Sequence, residues 1–312
     1  MRASKLLVGL TCLAVSCLGL AAAEFADDVP GLIALLKDKD AAQRGKATRA
    51  LAQLGPKAAP AVAALTEALK DEEADVRGSA AFALGHIGAD AKSAVPALIE
   101  LLKDKDNQTR QLATDALGRL APVSKEALAA VITALKDEAL APRAADAVGR
   151  LGPAAKDAIP ELAAALKKPK VRSYVAFALG KMGALGLPPL TEALKDSDAE
   201  VRIDAVVALG MVGAEAVPAL AEALKDKSAG VRLNAVSSLA KLGADGKAAV
   251  PALAATLKDP DDEIRARAAR ALGFLGPDAK DAIAALEEAK NDKDKNVREA
   301  VLQALERIQT KK

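Results

Sequence analysis

The sequence predicts an all-α protein, a right-handed α-solenoid of about nine helical hairpins. Two observations support this fold. One pattern returns about every 30 residues: a helix ending in Leu-Lys-Asp, a short turn, and a second helix that carries an Arg and ends near a Gly. In addition, no segment shows sustained alternation of apolar and polar residues, so strands are not predicted. A repeat of this length indicates stacked units that share one continuous core.

Two columns of charged residues mark the repeat. The first column is Asp38, Asp71, Asp104, Asp137, Asp196, Asp226, Asp259 and Asp292. The second, six residues later in each unit, is Arg44, Arg77, Arg110, Arg143, Arg202, Arg232, Arg265 and Arg298. Because both recur in almost every unit, we predict that each Arg pairs with a turn Asp and ties the hairpins together. The competing interpretation, an arginine ladder for phosphates or carboxylates, is less consistent with this regularity.

Residues 94–121 illustrate one unit. Pro96 stands in the first helical turn, where a missing N–H costs nothing, and Lys103 suits the C-terminal end of that helix. Asp106 is placed to cap a second helix predicted from Gln108 to Leu120. The equivalent caps are Asp40, Asp198, Ser228, Asp261 and Asp294. Second helices are expected to end at left-handed glycines, namely Gly55, Gly88, Gly152, Gly183, Gly213, Gly243 and Gly276.

The pattern is most complete in VRGSAAFALGHIG at residues 76–88 and IRARAARALGFLG at residues 264–276. It resembles the HEAT-like repeat family, in the short subtype named after phycobilisome lyases. The resemblance covers nearly everything from Val29 to Gln309 and implies a HEAT-like superhelix. Since this repeat serves scaffolds, adaptors and a few enzymes, the resemblance implies no single activity.

Two units break the pattern. The stretch from Ala139 to Gly152 is two residues short and contains Pro142, and the turn at residues 167–170 lacks its aspartate. We therefore predict a local change of curvature near residues 137–190. The last unit has Gln309 in place of the closing glycine and is rich in charge, which is typical of a terminal cap with a polar outer face.

The N-terminal sequence predicts a secretory signal peptide over residues 1–23. It has Arg2 and Lys5, then an apolar run, then three alanines before Glu24. Residues 24–312 would form a single solenoid domain. No later stretch stays uncharged long enough to cross a bilayer. We expect export from a bacterial cell to the periplasm or the cell surface.

Cleavage would remove two of the 44 basic residues and none of the 42 acidic ones. The mature net charge is then about zero, which disfavours general attraction to nucleic acid. Both cysteines would also be lost. An alternative is a lipid anchor at Cys17, because Ala14-Val15-Ser16-Cys17 loosely resembles a lipobox, although Ala14 replaces the usual large aliphatic residue.

No catalytic constellation, metal site or cofactor site is predicted. His86 is the only histidine, and its repeat column accepts Arg and Lys, so we expect it to face solvent. Deoxyhypusine hydroxylase has similar repeats and holds iron through His-Glu pairs, but this sequence contains no such pair. Bilin lyase activity has no compact motif to test, and the scarcity of aromatic residues disfavours a tetrapyrrole ligand.

The second helices carry a variable stripe. Counted from the Arg of each unit, positions +3, +4, +7 and +10 stay small or aliphatic, whereas +2, +5 and +9 vary and share one helix face. Every aromatic residue beyond Phe25 lies on this stripe. Because exposed aromatic, Met and Arg side chains are typical of interfaces, the candidate protein-binding residues are Phe82, His86, Arg119, Tyr174, Phe177, Lys181, Met211, Lys241, Arg267, Arg270 and Phe274.

The function predicted is a non-enzymatic, exported scaffold that binds a protein or peptide along a concave face built from second helices. Three alternatives stay open. The stripe's Phe82 and Phe177 could fill gaps between adjacent hairpins, the chain could be a lyase-like enzyme or enzyme subunit, or it could be a structural spacer without a specific ligand.

Overall fold

The computed structural model describes residues 28–309. The predicted signal peptide, Cys12, Cys17 and Phe25 lie outside the described residues. The chain divides at residues 147 and 148 into two compact units, which are described separately. The expectation of one uninterrupted domain over residues 24–312 stays a prediction.

Eighteen α-helices within residues 28–309 form nine hairpins, each with a short first helix and a longer second helix. The first helices are α1 Val29–Leu35, α3 Val62–Ala68, α5 Val95–Leu101, α7 Lys125–Ala134, α9 Ile159–Ala165, α11 Leu187–Ala193, α13 Val217–Ala223, α15 Val250–Thr256 and α17 Ile283–Ala289. The second helices are α2 Ala41–Leu54, α4 Ala74–Ile87, α6 Asn107–Leu120, α8 Ala141–Leu151, α10 Arg172–Lys181, α12 Ala199–Val212, α14 Ala229–Lys241, α16 Asp262–Leu275 and α18 Lys295–Gln309. No strand occurs in this part of the chain. The predicted all-α solenoid is confirmed.

Aspartates begin most of the second helices, as predicted. The Asp40 carboxylate accepts the N–H of Ala42 at 2.9 Å, and that of Asp106 accepts the N–H of Thr109 at 2.7 Å. These bonds satisfy helix-end donors that have no partner inside the helix. Ser228 occupies the same position before α14, but its side chain makes no capping bond.

The seven predicted glycines all have positive φ. Their conformation nevertheless differs from the predicted left-handed cap. Gly55 has φ 55° and ψ −130°, and Gly276 has φ 57° and ψ −135°, far from the ψ of about +47° of the left-handed helix. The reason is that the chain does not simply leave the helix. At both positions it turns directly into a 3₁₀ helix, over Gly55–Ala61 and Gly276–Ala282.

The core is built from small and aliphatic columns. Position +7 supplies a buried leucine in successive second helices, including Leu51, Leu84, Leu209 and Leu272. Position +3 supplies a small or β-branched buried residue, most often alanine. Because these columns face neighbouring helices, the +2, +5 and +9 positions are left outside the core.

A glycine one position before the stripe's +9 residue lets neighbouring second helices approach closely. An added Cβ at Gly85 of α4 would lie 2.8 Å from the Cα of Ala116 in α6. At Gly273 of α16 it would lie 2.9 Å from the Cα of Ala304 in α18. These neighbours are backbone atoms, so the contact cannot be relieved by a side-chain rotation.

The irregular segment keeps its helices. Pro142 lies in the first turn of α8, a position that tolerates proline. The division between the two units falls inside residues 137–190, and the predicted curvature change there stays a prediction.

At the C-terminus, Leu302 is the one exposed large apolar side chain of α18. None of the described helices is long and apolar enough to cross a membrane.

Replacing Gly85 with Ala is expected to lower the free energy of unfolding by about 1–3 kcal/mol, because the methyl group overpacks the contact with Ala116. Urea denaturation measures this change in the free energy of unfolding. Gly45→Ala in α2 is the matched control. Its Cβ would meet only the end of the flexible Arg49 side chain at 3.4 Å and the Asp75 carboxylate at 3.5 Å, so the helix should gain about 0.5–1 kcal/mol. Equal effects of the two changes would contradict the close-approach interpretation.

Candidate functional site

The arginine column forms buried bridges between consecutive units. Arg77 donates through Nε and Nη2 to the two carboxylate oxygens of Asp104, at 2.6 and 2.9 Å. Its Nη1 donates to the backbone carbonyls of Asp71 and Glu72 in its own turn, at 2.7 and 2.9 Å. The two side chains are only 8% and 9% exposed. Each such arginine therefore ties its own turn to the aspartate of the next unit.

The same bidentate geometry recurs in four further pairs. They are Arg44–Asp71, Arg202–Asp226, Arg232–Asp259 and Arg265–Asp292. The predicted structural pairing is confirmed, with one refinement: the carboxylate comes from the following unit, while the arginine's own turn contributes carbonyls. These guanidinium groups are already occupied by carboxylates, so they do not form an anion-binding ladder.

The irregular units depart from this scheme. Arg110 donates to the carbonyl of Asp104 at 2.8 Å and to the side chain of Asn107 at 3.0 Å. Arg143 is half exposed and lies 3.3 Å from Asp115. Thus Arg110 bonds within its own turn and helix, and Arg143 pairs with a carboxylate of the preceding second helix instead of an aspartate of the following unit.

Hydrogen bonding sets the ionisation of the bridges. The hydrogen bond from Arg77 holds the pKa of Asp104 below its ordinary value, against the opposing effect of desolvation. The hydrogen bond from Arg265 lowers the pKa of Asp292 in the same way. At Asp71, desolvation acts to raise the pKa, but the hydrogen bonds from Arg44 and from the backbone of Glu73 outweigh it, so that the net shift is downward. These three carboxyl groups are therefore fully charged at neutral pH.

The variable stripe carries nearly all the exposed large apolar side chains of the second helices. Phe82 is 42% exposed, Tyr174 54%, Phe177 44%, Met211 39% and Phe274 63%. Val207, at the +5 position of α12, is 44% exposed and joins them, although it is not among the predicted binding residues. The cations Arg119, Lys181, Lys241 and Arg270 are also exposed, and Arg267 is half-buried. Whether these residues bind a protein stays a prediction.

Neighbouring polar groups order the aromatic rings. In α4 the His86 ring lies against Phe82, with centroids 4.0 Å apart, and its Nδ1 is 2.9 Å from the Phe82 carbonyl oxygen. The Lys181 ammonium lies 4.8 Å from the centre of the Phe177 ring. Exposed cation–π contacts of this kind contribute about 0.5–1 kcal/mol. His86 is consequently half-buried, not simply solvent-facing as predicted, because the adjacent Phe82 shields one side of it.

One ring contact crosses between units of the repeat. The guanidinium of Arg307 in α18 lies 5.1 Å from the centre of the Phe274 ring in α16. Arg307 was not predicted as a site residue, and only its shared +9 position with Phe274 could have suggested the contact. Among the described residues, no group of His, Cys, Asp and Glu is arranged to hold a metal ion.

Carboxylates on or beside the stripe are paired, whereas two of its cations are not. Asp204 accepts from Arg172 Nε at 2.7 Å, and Glu263 lies 2.6 Å from Arg267 Nη2. Lys241 and Arg270 have no ion pair within residues 28–309. The stripe therefore presents apolar surface with uncompensated positive charge.

Shallow grooves also lie between consecutive first helices. One of about 260 Å³ is lined by Leu166, Lys167, Glu192, Asp196 and Val201, among others. Two equivalent grooves involve α1 with α3 and the residues around Leu257 and Lys293. Because the same groove recurs with the same Lys, Glu and Asp lining, it belongs to the repeat architecture.

Family comparison agrees with this geometry. A model of HEAT repeats matches residues 12–85, 62–151, 187–273 and 250–312, which together span most of the chain. The chain belongs to the HEAT-repeat family. A model of the PBS lyase HEAT-like repeat matches residues 171–196, so the predicted resemblance is confirmed. The protein is thus a HEAT-repeat solenoid, and neither match identifies a catalytic family.

Solved structures share the fold at low identity. Kap121p bound to Ste12p is 14% identical over 91% of this chain and 37% of that chain, with a TM-score of 0.64. Kap121p bound to Pho4p is 14% identical over 89% and 37%, with a TM-score of 0.63. The HEAT-repeat chain thus spans little more than a third of Kap121p, and the likeness shows the fold alone. No curated protein matches the sequence.

Replacing Asp104 with Ala is expected to lower the free energy of unfolding by about 3 kcal/mol, because it leaves the buried Arg77 charge unpaired. Glu100→Ala is the matched control. It removes a pair with Lys103 whose side chains are 72% and 73% exposed, and should cost only about 0–1 kcal/mol. Urea denaturation of both variants measures the two changes in the free energy of unfolding. Equally small losses of stability would show that the bridge does not stabilise the fold.

Acid should weaken the bridges. The carboxyl pKa of Asp71, Asp104, Asp226 and Asp292 is lower in the folded than in the unfolded chain, so the unfolded state takes up more protons in acid. Their contribution is fully present above the ordinary Asp pKa of about 4 and is lost as the pH falls through the folded-state values. The urea concentration at the unfolding midpoint of the wild-type protein should fall between pH 5 and pH 3. The Asp104→Asn variant should show a smaller fall, because it lacks one of these carboxyl groups. Unchanged midpoints would contradict this account.

Proposed function

We propose that this HEAT-repeat protein is an exported scaffold that binds another protein, or an extended peptide, along the stripe of its second helices. The observation that carries the proposal is the exposure of aromatic and Met side chains at corresponding positions of four of the repeats. Tyr174 and Phe177 in α10 and Met211 in α12 are the centre of this surface.

Packing within the chain does not explain these side chains. A residue that filled a gap between hairpins would be buried, whereas Phe82 and Phe177 are both more than 40% exposed. The core itself uses Ala and Leu, so aromatic side chains are not needed to complete it. Exposed aromatic residues that are ordered by neighbours are typical of the residues that dominate binding energy at interfaces.

The stripe is also preformed. In α12, α14 and α16 its side chains project from helices that buried Arg–Asp bridges hold to the next turn, and α10 is tied to α12 by the Arg172–Asp204 pair. The Lys181–Phe177 and Arg307–Phe274 contacts restrict the rings further. A surface ordered before binding loses less conformational entropy when the partner arrives.

Related folds support a binding role. Kap121p, which shares the solenoid fold, has been solved in complex with Ste12p and with Pho4p. A solenoid offers one extended surface to which each repeat adds a few side chains. The export part of the proposal rests on the sequence of residues 1–23, with lipidation at Cys17 as its alternative outcome.

Affinity capture from the native envelope fraction tests the proposal. The wild-type chain should retain a partner, identified by mass spectrometry, that the Tyr174→Asp/Phe177→Asp variant does not retain. Because both side chains are exposed, the variant should keep its fold, with a loss of stability of at most about 1 kcal/mol from the lost Lys181–Phe177 contact.

The control variant is Leu185→Asp/Leu302→Asp, which changes two apolar side chains that are 40% and 56% exposed but lie outside the stripe. It should retain the partner as the wild type does. Identical captures by all three chains would argue against the stripe as the binding surface. If Tyr174→Asp/Phe177→Asp unfolds, the two residues belong to the core and the proposal loses its anchor.

A further inference from the structure

We infer that the stripe within residues 148–309 binds an extended segment with two parts, one apolar and one acidic. This inference rests on the proposed function and names the chemistry of its partner. The stripe of this unit has an apolar half, on α10 and α12, and a cationic half, on α14 and α16.

The apolar half consists of Tyr174, Phe177, Val207 and Met211, all exposed. The one carboxylate among them is Asp204, and it is neutralised within the protein. It accepts from Arg172 Nε at 2.7 Å and from Ser173 Oγ at 3.1 Å. This half therefore offers apolar contact area without a free charge, apart from the Lys181 ammonium over the Phe177 ring.

The cationic half consists of Lys241, Arg267 and Arg270, beside the exposed Phe274 ring at the end of α16. Arg267 is held in place by Glu263 at 2.6 Å and by Ser237 Oγ of α14 at 3.2 Å. Lys241 and Arg270 have no ion pair in the described part of the chain. Positive charge at these two positions thus remains available to a ligand carboxylate.

Helix-end electrostatics accounts for only part of this charge. Lys241 is the last residue of α14, where a cation is favoured by the helix dipole. Arg270 lies in the interior of α16, which continues to Leu275, and the dipole does not explain it. Two lysines at the ends of first helices in the same unit are paired instead: Lys195 lies 2.7 Å from Glu192, and Lys225 lies 2.9 Å from Glu222.

The spacing of the helices indicates the length of the ligand. Consecutive second helices from α10 to α16 pack directly on one another. Packed helices lie about 8–10 Å apart, so three steps cover about 25–30 Å. An extended chain rises about 3.3 Å per residue, so a segment of about eight or nine residues would reach both halves. Asp and Glu at one end, and aromatic or aliphatic residues at the other, would complement the stripe.

Selection from a phage library of random peptides of about twelve residues tests this inference, since that length covers both halves. The full chain is the target. Lys241→Glu/Arg270→Glu reverses the cationic half, and Tyr174→Asp/Phe177→Asp alters the apolar half. The matched control, Lys195→Glu/Lys225→Glu, reverses two lysines on the first-helix face.

The expected pool is enriched in peptides that combine acidic and apolar residues, for the wild type and for the matched control. A synthetic peptide from this pool should bind about tenfold more weakly, by fluorescence anisotropy, to Lys241→Glu/Arg270→Glu. Its binding should also weaken as NaCl is raised to about 0.3 M, because exposed charge pairs are screened. Replacing its Asp and Glu with Asn and Gln should remove the salt dependence.

Other outcomes separate this inference from the function on which it rests. A pool without acidic residues that is lost only by Tyr174→Asp/Phe177→Asp would overturn the inference and leave the proposed function intact. A pool bound equally well by Lys241→Glu/Arg270→Glu would overturn it too. If no sequence is enriched above the level seen with both stripe variants, the inference and the peptide-binding function both fail.

Discussion

The buried bridge from an arginine to the next unit's aspartate, formed in five pairs, is the constraint on which the fold depends. One guanidinium satisfies two carbonyls of its own turn and both oxygens of the following carboxylate, as Arg77 does with Asp104. The bridge survives one change in repeat length. Arg202 and Asp226 are three residues closer in sequence than the other bridged pairs, and the 3₁₀ connection between them is Ala214–Ala216, where the other bridged pairs have seven-residue connections. In this unit the difference in length is absorbed in the connection while the bridge is kept.

This bridge, together with the glycine at each close helix contact, determines what the second helices expose. With the turns fixed and the helices close together, Ala and Leu fill the core, and the +2, +5 and +9 positions remain outside. Within residues 28–309, all the aromatic side chains occupy such outside positions. Folding does not require them there. Their exposure is therefore the strongest physical argument that the stripe serves a partner.

Regular features could be predicted from the sequence because each recurs: the hairpins, the Asp caps, the glycines and the Asp and Arg columns. The partner of each Arg could not be predicted, because the repeat pattern offers two aspartates: one six residues before the Arg and one in the next unit. The ψ angle of Gly55 could not be predicted either, because it depends on the 3₁₀ connection that follows this residue. The shielding of His86 depends on the rotamer of Phe82, which the repeat pattern does not determine. The contact between Phe274 and Arg307 needs the distance between two helices, which no periodicity supplies.

The central claim is that the second-helix stripe is exposed in the free chain and covered by its partner. Hydroxyl-radical footprinting of the purified protein, alone and with the captured partner or a selected peptide, tests this most directly. We expect strong oxidation of Tyr174, Phe177 and Met211 in the free chain, and protection of these residues in the complex while Leu185 and Leu302 stay unchanged. Weak oxidation in the free chain, or protection confined to the first helices, would contradict the claim.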